Sequence, residues 1–451
     1  MSIKRMARRV LGLAVAATVL GFAPVISWAD NKPAATAAPA GNALQKNDFV
    51  AICGDSITEQ KQYSVYMQSY LLMCKPAGVN GDLRAMQFGW SGETSWGFLG
   101  KMSTQALKFP MTVATTCYGM NDGGYSPMTD AKAKKYTEAH QGIIDAFKKH
   151  GVRFIVLGSP GAVDADTFLR PDPTDPEPDA KKKRKVSAAP MYNATLAAER
   201  DIIKALAEKN GLAFADVHGA MVDAMTKAKA KYGPKYHVGG GDGVHPAANG
   251  QLCMAYAFLK GLGVDGHIGT ITVDLAGNKA EATDGHKVLS AAGGKIEVES
   301  EKYPFCFYGD PAQTNSTSGI IEFLPFNQDL NRYLLVVKNA GAAKVKVTWG
   351  KNSKEFDAAA LEKGINLAAE FIADNPFSEP FKKVEAVIRA QQNAETPLVK
   401  KTLNDLPKAK DKDAATKAAV EEMKKAKELF DASAATAKQP VKHTIAIEAV
   451  K

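Results

Sequence analysis

The sequence predicts an α/β domain with a mostly parallel sheet, followed by a small antiparallel β domain and then a helical segment. Three observations lead there. Between residues 49 and 262, short apolar runs alternate with longer stretches of helical apolar spacing, the pattern of strands joined by crossover helices. After about residue 267 the runs become β-rich and alternating, with Gly, Asn and Asp between them. From 367 to 435 the spacing is helical again, and Ala414–Ala432 is rich in Lys, Glu and Ala.

Each element has its own signal. Phe49–Cys53 is a short apolar run closed by Gly54, as a buried strand is. Tyr63–Cys74 has helical spacing, and Leu83–Trp90 reads as a second strand. Thr112–Tyr118 is β-branched and ends at Gly119. Ala131–His150 is an amphipathic helix and Arg153–Leu157 another buried strand. Ala194–Asn210 is a helix stopped by Gly211, and Leu212–Val217 is a strand. Ala247–Leu262 is a last helix, with Pro246 just ahead of it. Residues 164–190 interrupt the pattern with Pro171, Pro173, Pro176, Pro178 and Pro190 and the basic run Lys181–Lys185, so they form a long exposed loop. Further on, Ile271–Leu275, Lys295–Glu299, Ile320–Leu324, Tyr333–Lys338 and Lys344–Trp349 read as strands. Thr444–Val450 is one more, returning to the β domain. The units divide at 46–266, 267–366 and 367–451.

The N-terminus reads differently. Lys4, Arg5, Arg8 and Arg9 precede the apolar run Val10–Ile26, and Ser27-Trp28-Ala29 is a small-x-small cleavage pattern. Residues 1–29 are therefore expected to be a signal peptide, and the Ala- and Pro-rich residues 30–45 a linker. An exported protein, periplasmic or extracellular, follows. The removed segment holds four basic residues and no acidic ones, so the formal charge falls from +9 to +5. The remaining Lys-rich stretches, near 181–185 and 400–428, have no interleaved aromatics and suggest solvated surface rather than a nucleic-acid groove. After cleavage, no stretch is long and apolar enough to hold the chain in a membrane. The five cysteines, Cys53, Cys74, Cys117, Cys253 and Cys306, show no CxxC spacing; buried free thiols are expected, with a disulfide open after export.

Four short segments carry chemistry. Gly54-Asp55-Ser56-Ile57-Thr58 follows the first strand, where a serine hydroxyl points into the crevice above the sheet; capping of the next helix by Asp55 or Ser56 is the alternative. Asp242-Gly243-Val244-His245-Pro246 sets a carboxylate three residues before a histidine on a glycine-rich loop. A serine needs a base, and the base needs an orienting acceptor. A metal set of His237, Asp242 and His245 fits no strong spacing. Gly92, after the second strand, can offer a bare backbone N–H, and Asn121, after the third, a side-chain amide. Each alone also suits an ordinary turn.

In order, these blocks resemble the SGNH (GDSL-type) hydrolase family: Ser in GDS, then Gly, then Asn in GxND, then His in DxxHP. The resemblance implies a flavodoxin-like three-layer fold, Ser56 as nucleophile, His245 as base and then acid, and Asp242 as its orienter. It implies an oxyanion hole from the Ser56 N–H, the Gly92 N–H and the Asn121 amide, with no metal or organic cofactor. GDSITEQ, GMNDGGY, DGVHP and Gly364-Ile365-Asn366-Leu367-Ala368 further resemble large secreted bacterial members with an accessory C-terminal region. Those relatives suggest an ester substrate, an O-acetylated polysaccharide. Two other readings stay open, a carbohydrate-binding or cell-envelope protein on the same core, and an acyltransferase. Trp90, Trp96, Tyr118 and Tyr125 flank Gly92 and Asn121 and could stack on sugar, although core packing uses the same residues.

Overall fold

The computed structural model describes residues 43–76, 79, 82–174 and 187–450. The expected signal peptide, nearly all of the linker and the basic run Lys181–Lys185 lie outside the described residues.

The first sheet is built from β1 (Phe49–Gly54), β2 (Arg84–Gly89), β3 (Val113–Cys117), β4 (Phe154–Gly158) and β5 (Ala213–Ala215), in the order β2-β1-β3-β4-β5. Every pair is parallel. All six residues of β1 are buried, because helices cover both faces of a parallel sheet. The connecting helices are α1 (Ser56–Glu59), α2 (Tyr63–Ser69), α3 (Ser95–Lys101), α4 (Asp130–His150), α5 (Ala189–Asn210), α6 (Val217–Tyr232) and α7 (Ala248–Gly261). Period-two alternation sends Val50 and Ile52 into one core layer and Phe49, Ala51 and Cys53 into the other. This strand order is the flavodoxin-like one, and the fold class expected for residues 46–266 is correct.

The remaining strands are β6 (His267–Asp274), β7 (Lys279–Ala282), β8 (His286–Ala292), β9 (Lys295–Ser300), β10 (Arg332–Lys338), β11 (Lys344–Trp349), β12 (Asn352–Asp357), β13 (Ile365–Asn366) and β14 (Val441–Ala449). They form two sheets, β13-β10-β6-β7 and β12-β11-β14-β9-β8. The final strand does return, pairing with both β9 and β11. Two expectations are corrected. The region is not wholly antiparallel: β6 and β10 run parallel, which the long excursion between them permits. Ile320–Leu324 is not a strand but holds a single 3-10 turn, Ile320–Glu322. Adjacent Ile320 and Ile321 are both buried, which a strand with one covered face does not allow. Helices α8 (Phe326–Asp329), α9 (Ala358–Lys363) and α10 (Leu367–Glu370) are short, and α11 (Ser378–Pro397) and α12 (Lys412–Ala437) are long.

The helical segment is not a detached tail. Gln68 of α2 donates to Gln391 and accepts from Gln392, both at 2.8 Å, and Ser64 donates to Gln392 at 2.7 Å. Gln87 of β2 donates to Thr396. Beyond α11, Leu398, Val399 and Leu403 join the core layer that holds Phe49 and Phe88.

Between the two later sheets lies a buried polar cluster whose protons can be assigned. The Trp349 indole, a donor only, gives its N–H to His443 Nδ1 at 3.2 Å. His286 Nε2 meets the Ile268 carbonyl at 3.0 Å and must carry the proton there. Ser300 therefore donates to His286 Nδ1 and accepts from His443 Nε2. Both rings are neutral. Burial pulls His286 down to about 4, against the Ile268 carbonyl, and pulls His443 down to about 3, with His286 adding to it. The unfolded chain takes up these protons below about pH 6.5, so this stability is full above that value and is lost as pH falls toward 4 and then 3. Replacing His443 with Gln should flatten the acid-side slope of unfolding free energy by about 1.4 kcal/mol per pH unit between about pH 6 and 4, read by urea unfolding. An unaltered slope contradicts the assignment.

Candidate active site

The parallel register ends three strands in one row: Gly54 pairs with Gly89 on one side and with Cys117 on the other. The order of the sheet reverses between β1 and β3, so the loops leaving β1, β2 and β3 open a crevice at the carboxyl edge. The four segments singled out from the sequence meet there.

Asp55 accepts from the Ile57 N–H at 2.9 Å, and so caps α1. Capping and chemistry are not alternatives here, because Asp55 does the first and leaves the Ser56 hydroxyl free. Ser56 Oγ lies 2.8 Å from His245 Nε2. His245 Nδ1 lies 2.7 Å from Asp242 Oδ2. Burial works to raise the Asp242 carboxyl, but the backbone N–H of His245, its ring and the Val244 N–H outweigh it and hold the group below its ordinary range. An ionised Asp242 fixes the proton on Nδ1 and leaves Nε2 to accept from Ser56. Asp242 Oδ1 also takes the backbone N–H groups of Val244 and His245 at 2.9 Å each, so the carboxylate is anchored by its own loop. Among the described residues, no group of three His, Cys, Asp or Glu is arranged to hold a metal ion.

That loop is held from outside. The Asp164 N–H donates to the Gly243 carbonyl, Thr167 to the Gly240 carbonyl, and the Val238 N–H to Asp164. Lys229 pairs with Asp164 and Asp166. Gly243 has φ +76° and the Phe168 backbone beside it: a Cβ there would sit 2.4 Å from Phe168 N. Gly243→Ala should therefore cost about 1–3 kcal/mol of stability, measured by denaturant unfolding. An unchanged midpoint would contradict this docking.

The expected oxyanion donors are on the same side. Gly92 is the third residue of the turn closed by Glu93 N–H to Trp90 carbonyl at 3.0 Å, with φ +73°. Its own N–H meets no protein acceptor among the described residues. The Asn121 amide donates to the Glu93 carbonyl at 3.0 Å, which leaves its second N–H. Asp122 ties this loop to α3, accepting from Ser95 N–H at 2.8 Å and from Gly119 N–H at 3.1 Å. Burial, against those hydrogen bonds, lifts Asp122 to about 6. Burial likewise lifts Asp55 to about 7, opposed by the Ile57 N–H and reinforced by Asp122. Behind them Glu199 is pushed up to about 10 by burial, with Asp122 adding, and is held as the neutral acid.

Of the aromatic residues, Tyr118 is core, stacked on Phe98. Trp90, Trp96 and Tyr125 are partly exposed and each carries a cation on its face, but Tyr125 also packs on the core, against Phe168 and Tyr192. Lys101 and Lys400 lie over Trp90, Lys135 over Trp96, and Arg170 over Tyr125. Glu59, Asp122 and Lys400 also shape the site. The first two stand inside recognised motifs and are within reach of sequence analysis. Lys400 has no local signal, being 341 residues from the carboxylate it contacts. All five cysteines are buried and unpaired.

Residues 52–252 match the GDSL-like lipase/acylhydrolase family. The match takes in the Ser56, Gly92, Asn121 and His245 segments of the site. No curated protein matches the chain in sequence. Among solved structures, BT4096, a gut microbial diltiazem-metabolizing enzyme, is 20% identical and covers 90% of this chain and 98% of its own, with a TM-score of 0.66. The shared fold thus runs past the GDSL-type domain into the C-terminal sheets and helices. Axe2, an acetylxylan esterase from Geobacillus stearothermophilus, is 19% identical and covers 49% of this chain and 95% of its own, with a TM-score of 0.36. LAE5, an alpha/beta hydrolase enzyme from the metagenome of Lake Arreo, Spain, is 19% identical and covers 49% and 97%, with a TM-score of 0.37. The match of residues 52–252 supports an ester hydrolase.

Proposed function

We propose that the protein is an exported serine esterase that removes O-acetyl groups from carbohydrate, with Ser56, His245 and Asp242 as its catalytic triad. The observation that carries the mechanism is the unbroken chain from Ser56 Oγ to His245 Nε2 and from His245 Nδ1 to Asp242. His245 takes the Ser56 proton as Oγ attacks the ester carbonyl, and Asp242 stabilises the imidazolium that forms. The oxygen of the tetrahedral intermediate, now negative, is met by the N–H groups of Ser56 and Gly92 and by the Asn121 amide. The intermediate collapses, His245 returns the proton to the leaving alcohol, and acyl-Ser56 remains. Water then loses a proton to His245 and attacks the acyl carbon. The carboxylic acid leaves as Ser56 recovers its proton.

The substrate reading rests on two supports. Partly exposed Trp90 and Trp96 flank Gly92 and offer apolar surface to a sugar. The charged, apolar and small-residue succession of the first 29 residues suits export, which would bring the enzyme to polysaccharide outside the cytoplasm.

The test is acetate release from a panel of acetylated polysaccharides, with p-nitrophenyl acetate alongside. Ser56→Ala should abolish turnover while leaving the fold intact; retained turnover would overturn the mechanism. Asn121→Ala should lower kcat by about 10²–10³ with KM little changed, as expected when a donor serves the oxyanion and not the ground state. A loss confined to KM would remove Asn121 from the oxyanion hole. Hydrolysis of the small ester with no polysaccharide deacetylated would overturn the carbohydrate assignment alone.

A further inference from the structure

Glu59 stands three residues after Ser56, at the end of α1. Its Oε2 accepts both the N–H and the hydroxyl of Ser91, each at 2.6 Å. Ser91 is the neighbour of Gly92 in the Trp90–Glu93 turn. One carboxylate thus joins the helix that carries the nucleophile to the turn that carries an oxyanion donor. The other oxygen, Oε1, is held by Lys400.

Lys400 comes from the wide helical turn Leu398–Leu403 that follows α11. Its flanking residues Leu398, Val399 and Leu403 are buried in the sheet's core layer, so its backbone is anchored. Its ammonium also lies 4.8 Å from the centre of the Trp90 ring, and Lys101 lies 4.3 Å from the same ring. The Trp90 N–H in turn donates to the Gly54 carbonyl at 3.2 Å, at the mouth of the nucleophile loop. A second tie runs in parallel: Arg389 of α11 donates to the Lys61 carbonyl, and the Lys61 ammonium to the Glu59 carbonyl, both at 3.1 Å. Burial works to raise the Glu59 carboxyl, and the bonds from Lys400 and Ser91 more than offset it. Glu59 is therefore a fixed anion.

We propose that Glu59 and Lys400 are positioning residues for the oxyanion hole, through which the C-terminal helical segment sets the Gly92 N–H relative to Ser56. Neither touches the reacting atoms. Without the Lys400 ammonium, Glu59 is free to leave Ser91 for solvent, and the turn loses its link to α1. The hole then has to be assembled during the reaction rather than before it. This assignment rests on the serine-esterase reading for its kinetic consequence, but not for its structural one.

The test compares the full-length wild type with Lys400→Met, Lys400→Arg and Ser91→Ala. Hydrogen exchange reads the geometry without any substrate. Lys400→Met should speed amide exchange in the Trp90–Thr94 peptide and leave β1 and β3 protected. With p-nitrophenyl acetate, Lys400→Met should lower kcat on the order of 10-fold or more with KM within about twofold, since small displacements of catalytic donors are costly. Lys400→Arg should restore most of kcat, and Ser91→Ala combined with Lys400→Met should cost no more than the worse single variant. Unchanged exchange in residues 90–94, unchanged kcat, an effect on KM alone, or a kcat loss that Arg does not rescue would each overturn the proposal. Failure of the esterase reading itself has a different signature: turnover that survives Ser56→Ala, while the exchange result stands.

Discussion

The site depends on one constraint, the common ending of β2, β1 and β3 in a single parallel row. Gly54 pairs with Gly89 and Cys117, so the three loops that leave these residues start at one level of the sheet. Hydrogen bonds between loops then fix what register alone leaves loose. Asn121 reaches the Glu93 carbonyl, Asp122 reaches Ser95, and Glu59 reaches Ser91. The histidine arrives from elsewhere, on the glycine-bearing loop between α6 and α7 that is clamped by Asp164 and Thr167. The proposed nucleophile, base and oxyanion donors are thereby preorganised by the scaffold, as a reaction through a charged intermediate requires.

Burial has a second consequence in the same region. Asp55, Asp122 and Glu199 all sit where their ionised forms are disfavoured, and the charge of one raises the others. Asp242 is the exception, because its backbone donors and the His245 ring keep it charged at the solvent edge. Asp242, which the proposed chemistry needs as an anion, lies near water, whereas Asp55, Asp122 and Glu199 are buried.

Much of this was legible in the sequence, for physical reasons. Buried parallel strands are continuous apolar runs, and β1, β3 and β4 stood out within one or two residues. The pairing of Asp242 with His245 was legible because Asp-x-x-His on one loop brings the two side chains together. What could not be read were contacts made only by tertiary packing. Ile320–Leu324 is apolar and β-branched yet turns, because both isoleucines go inward. The parallel pairing of β6 with β10 depends on a long connection, not on either strand's pattern. The helical segment looked separable from its Lys-rich surface, whereas its apolar and glutamine-bearing face is fastened to α2 and β2. Lys400 is visible only once that face is docked.

His245 is proposed to activate Ser56 as the nucleophile. The most direct measurement is reaction of the purified protein with a fluorophosphonate, followed by mass spectrometry of its peptides. An activated Ser56 should give a single stoichiometric adduct, formed rapidly in the wild type and slowly when His245 is replaced by Ala. No adduct, an adduct on another residue, or labelling that does not depend on His245 would contradict it.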